Sequence, residues 1–280
     1  MVRRASVHPG FMNAPIGVFD SGIGGLSVLK ALRAELPLEN FIYLADSNHA
    51  PYGEKNAEHV LARSRAIVQY LVECKVKALV MACNTATAAA IDLLRGEHPS
   101  LVLIGVEPAL KPAVAYSRTR RIGVMATRST LASARFRALL ASQAGHATFV
   151  VQSCDGLADA IERSALTGNA TETIALCAGY TCTMGLLGTE KGAIDTLVLG
   201  CTHYPFASEE LHALLGPKVR LIDNCEAIAR QTRRRLQISP TTPNQSPGQV
   251  SLFTTGQPHA LEAAARRWLD LQAQVNLLSF

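Results

Sequence analysis

Two apolar runs in this chain end in a cysteine and then turn polar. "LVMACNTAT" (79–87) delivers Cys83 followed by Asn84 and Thr85, and "LVLGCTHYP" (197–205) delivers Cys201 followed by Thr202 and His203. A buried strand running into a helix start reads this way. In open parallel sheets, ligands bind beyond the carboxyl ends of the strands. A helix N-terminus there offers free backbone N–H groups and a positive dipole end. It can hold a carboxylate, and it lowers a thiol's pKa from about 8.5. The expectation is two activatable thiols in one cleft. Facing a ligand from opposite sides, they suit removal of a proton from one face of a carbon and its return to the other. No cofactor or metal is needed for that, only one thiolate and one neutral thiol.

Other polar residues fall at the same sheet edge. "FDSGIGG" (19–25) presents Asp20 and Ser21 before a glycine turn, and "DSNHAPYGEK" (46–55) presents Tyr52 and Gly53. The glycine turn lacks the spacing and the lysine of a phosphate loop, and Asp20 would repel a phosphate. His203 lies two residues after Cys201, and Glu162 follows the strand that begins at Thr148. Taken singly, Asp20 reads as a cap and His203 as a helix-start residue. Gathered around two cysteines, they read as the auxiliary groups of the thiols, Asp20 on the side of Cys83, His203 and Glu162 on the side of Cys201.

The elements that position them repeat. Short aliphatic runs alternate with helical patterns, the signature of βαβ units and parallel sheets. One set of strands starts at Ile16, Phe41, Ala78 and Leu101, a second at Ile122, Thr148, Thr196 and Arg220. The spacings are 25, 37 and 23 residues, then 26, 48 and 24. Both first strands begin "IGV", and both cysteines fall five residues after the start of a third strand. The fold class expected is α/β: two similar doubly wound parallel-sheet lobes with the site in the cleft between them. Residues 15–108 with about 217–280 form a discontinuous first lobe and 109–216 the second, with a helix at about 107–117 as the crossing. Residues 1–14 read as a flexible tail, and "SPTTPNQSPGQ" (239–249) as a loop before a strand "VSLFTT" and a helix from about Pro258.

Composition narrows the class. Hydrophobic residues make up 48% and charged residues 18% of 280, which fills a globular interior of one large or two ordinary domains. No apolar stretch approaches the roughly 20 residues of a membrane helix, and the opening lacks an apolar signal core. The expected location is the cytoplasm, where the seven cysteines stay free thiols; they lack metal-site spacing. The basic run "RQTRRRL" (230–236) has no aromatic interleaving and reads as a solvated helix face, not a nucleic-acid site.

The motifs "DSGIGGLSVL" (20–29), "PYGEK" (51–55), "ACNTATA" (82–88), "GVEPALKPA" (105–113) and "GCTHYPF" (200–206) together resemble the glutamate racemase family, as does "FTTGQP" (253–258). That resemblance implies cofactor-independent interconversion of L- and D-glutamate for peptidoglycan. Cys83 is the base toward D-glutamate and Cys201 the base toward L-glutamate. Asp20, Glu162 and His203 match the auxiliary residues, and Asp20, Ser21, Tyr52, Gly53, Asn84, Thr85, Thr202 and His203 the substrate contacts. The chain departs from many members at Asp155, where proline is common. A racemase or isomerase for aspartate, a hydantoin or a small diacid shares the two-thiol reading. A two-lobed binding protein with inert cysteines and a thiol redox enzyme are the rivals from other classes. Glutamate is the partner implied, with no membrane or nucleic acid; a homodimer is left open.

Overall fold

The computed structural model describes residues 14–238 and 246–280. All but the last residue of the expected tail at 1–14 and most of the expected loop at 239–249 lie outside the described residues.

In chain order the elements are β1 (Ile16–Asp20), α1 (Leu26–Glu35), β2 (Phe41–Ala45), α2 (Ala57–Glu73), β3 (Ala78–Met81), α3 (Asn84–Glu97), β4 (Val102–Gly105) and α4 (Leu110–Tyr116). Then come β5 (Arg121–Ala126), α5 (Arg128–Ala132), α6 (Ala134–Ser142), β6 (Thr148–Ser153), α7 (Leu157–Thr167), α8 (Thr171–Thr183), β7 (Thr196–Leu199), α9 (Ser208–Leu215) and β8 (Arg220–Ile222). The chain closes with α10 (Cys225–Leu236), β9 (Val250–Thr254), α11 (Pro258–Leu269) and β10 (Val275–Leu277).

Two sheets result, one ordered β10-β9-β2-β1-β3-β4 and the other β6-β5-β7-β8. Every pairing in them is parallel. Leaving aside β9 and β10, each sheet has the same order of its own four strands: second, first, third, fourth. The repeat in the strand spacing is therefore a repeat of topology. Residues Ile16 and Ala78 are register partners in one sheet, and Ile122 and Thr196 in the other. β1, β3 and β7 are buried along their whole length, as expected for parallel strands covered by helices on both faces.

One boundary and one strand differ from expectation. β8 pairs with β7, so residues 220–222 lie in the second sheet although the first lobe was expected to resume at about 217. The four-strand repeat carries this strand; the chain returns to the first sheet only with β9, beside β2. No periodic pattern marks β10, because three residues are too short to carry one.

The C-terminal helix α11 also reaches the other lobe. Trp268 stacks on Phe206, ring centroids 3.7 Å apart and planes 7° from parallel. Among the described residues no helix is long and apolar enough to cross a membrane.

Candidate active site

In each sheet the chain leaves the first strand toward one side and returns with the third on the other. The crevice opened at that switch lies at the carboxyl ends of β1 and β3, and of β5 and β7. Cys83 stands two residues past β3 and Cys201 two residues past β7, so both thiols emerge there. They line a single cavity of about 140 Å³ between the lobes. A void near 150 Å³ accepts a benzene-sized molecule, so this one suits a small, compact ligand.

On the first-lobe wall, Cys83 is the N-cap of α3, and the Ala86 N–H donates to its Sγ at 3.4 Å. Ser21 Oγ lies 3.5 Å from the same sulfur. The helix start was expected to lower this thiol's pKa. Instead burial, with the nearby Asp20 charge, pushes it up to about 12, outweighing the Ala86 N–H and the Ser21 hydroxyl. Two hydrogen bonds to sulfur cannot replace the lost hydration of a thiolate.

The second-lobe wall is built differently. His203 Nδ1 sits 3.6 Å from Cys201 Sγ, and its Nε2 sits 2.8 Å from Glu162 Oε1. Burial alone would lower the His203 pKa, but Cys201 and Glu162 at its two nitrogens raise it well above the usual value. Glu162 moves the opposite way: burial would raise it, while His203 and the Ile23 N–H hold it below the ordinary carboxylate range. Both shifts favour an imidazolium on His203, which is buried, paired with a carboxylate on Glu162, which is part-buried, and Nδ1 of the ring faces the sulfur.

Asp20 does not reach the cavity wall. It is fully buried, accepting from the Gly22 N–H at 2.8 Å and from the Thr202 hydroxyl at 3.1 Å. Burial raises its pKa to about 6, against the lowering influence of His203 and the Gly22 N–H. Its bond from Thr202 links the two lobes, and its charge is one cause of the raised Cys83 pKa. Tyr52 and Gly53 line the cavity as expected; the Tyr52 hydroxyl donates to Asp46 at 2.6 Å, and Arg63 holds Asp46 from the other side. Asn84 carries the clearest mark of a ligand site. Both its amide nitrogen and its amide oxygen are buried with no hydrogen-bond partner among the described residues. Such groups are rare unless something else satisfies them.

Thr85, Thr202, His203, Glu162 and Ser21 complete the predicted lining. The structure adds Thr127 from the end of β5, whose hydroxyl lies 3.0 Å from that of Thr85. Aligning "IGVFDS" with "IGVMAT" makes Thr127 the counterpart of Ser21, a correspondence carried by the repeat itself. Ser47 and Asp159 also line the cavity, and no sequence pattern marked them. No group of three or more His, Cys, Asp or Glu side chains placed to hold a metal occurs among the described residues.

The model of the Asp/Glu/hydantoin racemase family matches residues 25–232, more than half of the chain and both cysteines. The chain belongs to this family. It is 45% identical over 267 residues to a glutamate racemase of Ectopseudomonas mendocina (strain ymp), covering 94% of this chain and 98% of that one. A crystal structure of a glutamate racemase isoform from Bacillus anthracis superposes with a TM-score of 0.82 at 31% identity, covering 95% of this chain and 97% of its own. The Escherichia coli glutamate racemase in complex with L-glutamate and the activator UDP-MurNAc-Ala gives 0.77 at 29% identity, over 91% and 95% of the two chains. Family membership accounts for paired thiols in a two-lobed α/β frame.

Proposed function

We propose that this chain is a glutamate racemase that works without a cofactor, in the cytoplasm, and supplies D-glutamate for peptidoglycan. The observation that carries the mechanism is that Cys83 and Cys201 line one small cavity from opposite lobes. A substrate α-carbon held between them presents one face to each sulfur. One thiolate takes the α-proton, and the opposite thiol delivers a proton to the other face of the planar carbanion. Proton count balances over the turnover, and the two thiols exchange protonation states.

In this reading the Asn84 amide and the hydroxyls of Ser21, Thr85 and Thr202 hold the two carboxylates, with the backbone at Gly53 closing the pocket. The substrate's ammonium group brings a positive charge into a cavity where Cys83 is otherwise hard to ionise, and an adjacent cation favours the thiolate. Cys201 has His203 as its proton partner, steadied by Glu162. A site with matched but separate helpers for two bases suits a reaction that must run in both directions.

The test is incubation of the purified protein with L-glutamate in heavy water, no cofactor added, following the α-proton signal and optical rotation together. Loss of rotation with deuterium entering at the α-carbon is expected. Retention of both, alongside racemisation of aspartate or a hydantoin, would move the substrate assignment elsewhere in the family.

A further inference from the structure

The glycine turn that follows β1 belongs to the lobe of Cys83, yet its contacts run to the helpers of Cys201. The Ile23 N–H donates to Glu162 Oε1 at 3.0 Å, the same oxygen that meets His203. Ser27, one turn further on, contacts the Thr202 carbonyl at 2.8 Å. Behind the turn, the Tyr43 hydroxyl donates to the Gly22 carbonyl at 2.8 Å and fixes its path.

The absence of side chains matters as much. A Cβ on Gly24 would stand 2.6 Å from Cγ of the His203 ring. A Cβ on Gly22 would overlap the Glu162 carboxylate. The carboxylate is the end of a flexible chain and can give way. The imidazole cannot do so freely: it is 5% exposed, with partners at both nitrogens, and moving the ring root breaks at least one of them.

We propose that Gly24, with the Ile23 N–H and Ser27, positions the His203–Glu162 pair from across the cleft, so that the base apparatus of Cys201, carried by the second lobe, is held in its place by the first. Gly24 is a positioning residue in this scheme. It does not line the cavity, and it acts through the place it leaves for the imidazole. The scheme rests on the racemase reading for its kinetic consequences but not for its geometry.

The experiment is a double-mutant cycle in the full-length protein, with Gly24→Ala and His203→Asn singly and together. Gly96→Ala serves as control, because that glycine faces open space on α3. Neighbours that act through one another show non-additive effects. Gly24→Ala should lower kcat by about tenfold to a hundredfold in the parent and by less than about twofold in the His203→Asn background. Equal losses in both backgrounds, or no loss in the parent, would overturn the proposal. Ser27→Ala, expected to cost about threefold to tenfold in the parent only, gives the same decision if Gly24→Ala does not fold. Nitrogen-15 NMR of the imidazoles separates this question from substrate identity. The His203 ring signals, assigned by their loss in His203→Asn, should move in Gly24→Ala and stay in Gly96→Ala. Unmoved signals overturn the positioning role even if glutamate proves not to be the substrate.

Discussion

Cys83 and Cys201 occupy corresponding places in two sheets of the same strand order, and their surroundings diverge from the first hydrogen bond outward. Cys83 caps a 14-residue helix and has neutral neighbours at the sulfur, an amide N–H and a serine hydroxyl. Cys201 leads into a short 3-10 turn at Tyr204–Ala207 and has a histidine backed by a glutamate. At the position where the first lobe has Asp20, the register of "IGVFD" against "IGVMA" puts Ala126 in the second. A repeated backbone thus delivers two thiols in equivalent places, and a few substitutions beside them give each a different proton economy. The difference teaches that fold symmetry fixes where the bases stand and leaves their chemistry to their neighbours.

Removing either thiol is the strongest way to probe that comparison. Cys83→Ala and Cys201→Ala should each reduce racemisation by about a thousandfold or more, at the upper part of the range for general acid–base groups. Because the two enantiomers are equally stable, kcat/KM must fall equally from both sides, so the lobes are told apart by isotope exchange. Cys201→Ala should still place deuterium on D-glutamate, and Cys83→Ala on L-glutamate. Exchange of the same enantiomer by both variants would break the division of labour.

His203→Asn should lower kcat by about a hundredfold, whereas Ser21→Ala, its nearest analogue on the other wall, should cost only about fivefold, near the net worth of one hydrogen bond. The raised pKa of His203 adds a sign. The imidazolium persists through neutral pH and is lost as pH rises through that elevated value, so the wild-type profile should bend down on its alkaline side. His203→Asn should lack that limb, measured as kcat against pH.

Asp20 gives a stability test. Its folded pKa of about 6 lies above the value near 3.8 of an ordinary aspartate. Its contribution to stability is full below the unfolded value and is lost as pH rises through about 6. The change is about 3 kcal/mol, two pKa units of differential proton binding. Denaturant unfolding at pH 4.5 and pH 8 should therefore show Asp20→Asn gaining on the wild type toward pH 8; a constant difference would mean that Asp20 is not desolvated. The smallest expected effect belongs to Thr127→Val, which removes a cavity hydroxyl from the second lobe and should raise KM by about threefold, with kcat little changed.

The strand starts were legible because parallel strands buried on both faces are written as continuous apolar runs, as "IGVF" and "TLVL" show. The cysteines were legible because the switch from apolar to polar occurs where a strand ends. The pKa of Cys83 was not, since the depth of a side chain depends on what the other lobe lays over it. The same reason hid the partner of Asp20, which is Thr202 from 182 residues away, and the contact of Ile23 with Glu162. Thr127 was within reach of the sequence, through its register with Ser21.

The strand order also dictates a timetable for synthesis. β5 to β8 leave the ribosome as one uninterrupted block and can complete their sheet as soon as Ile222 is clear. The first sheet, begun earlier, must wait with the edge of β2 uncovered until Val250–Thr254 arrives to pair with it. Vectorial folding ordinarily favours the N-terminal unit; here the later-born lobe can be finished first, and the nascent chain carries an open strand edge through most of its translation.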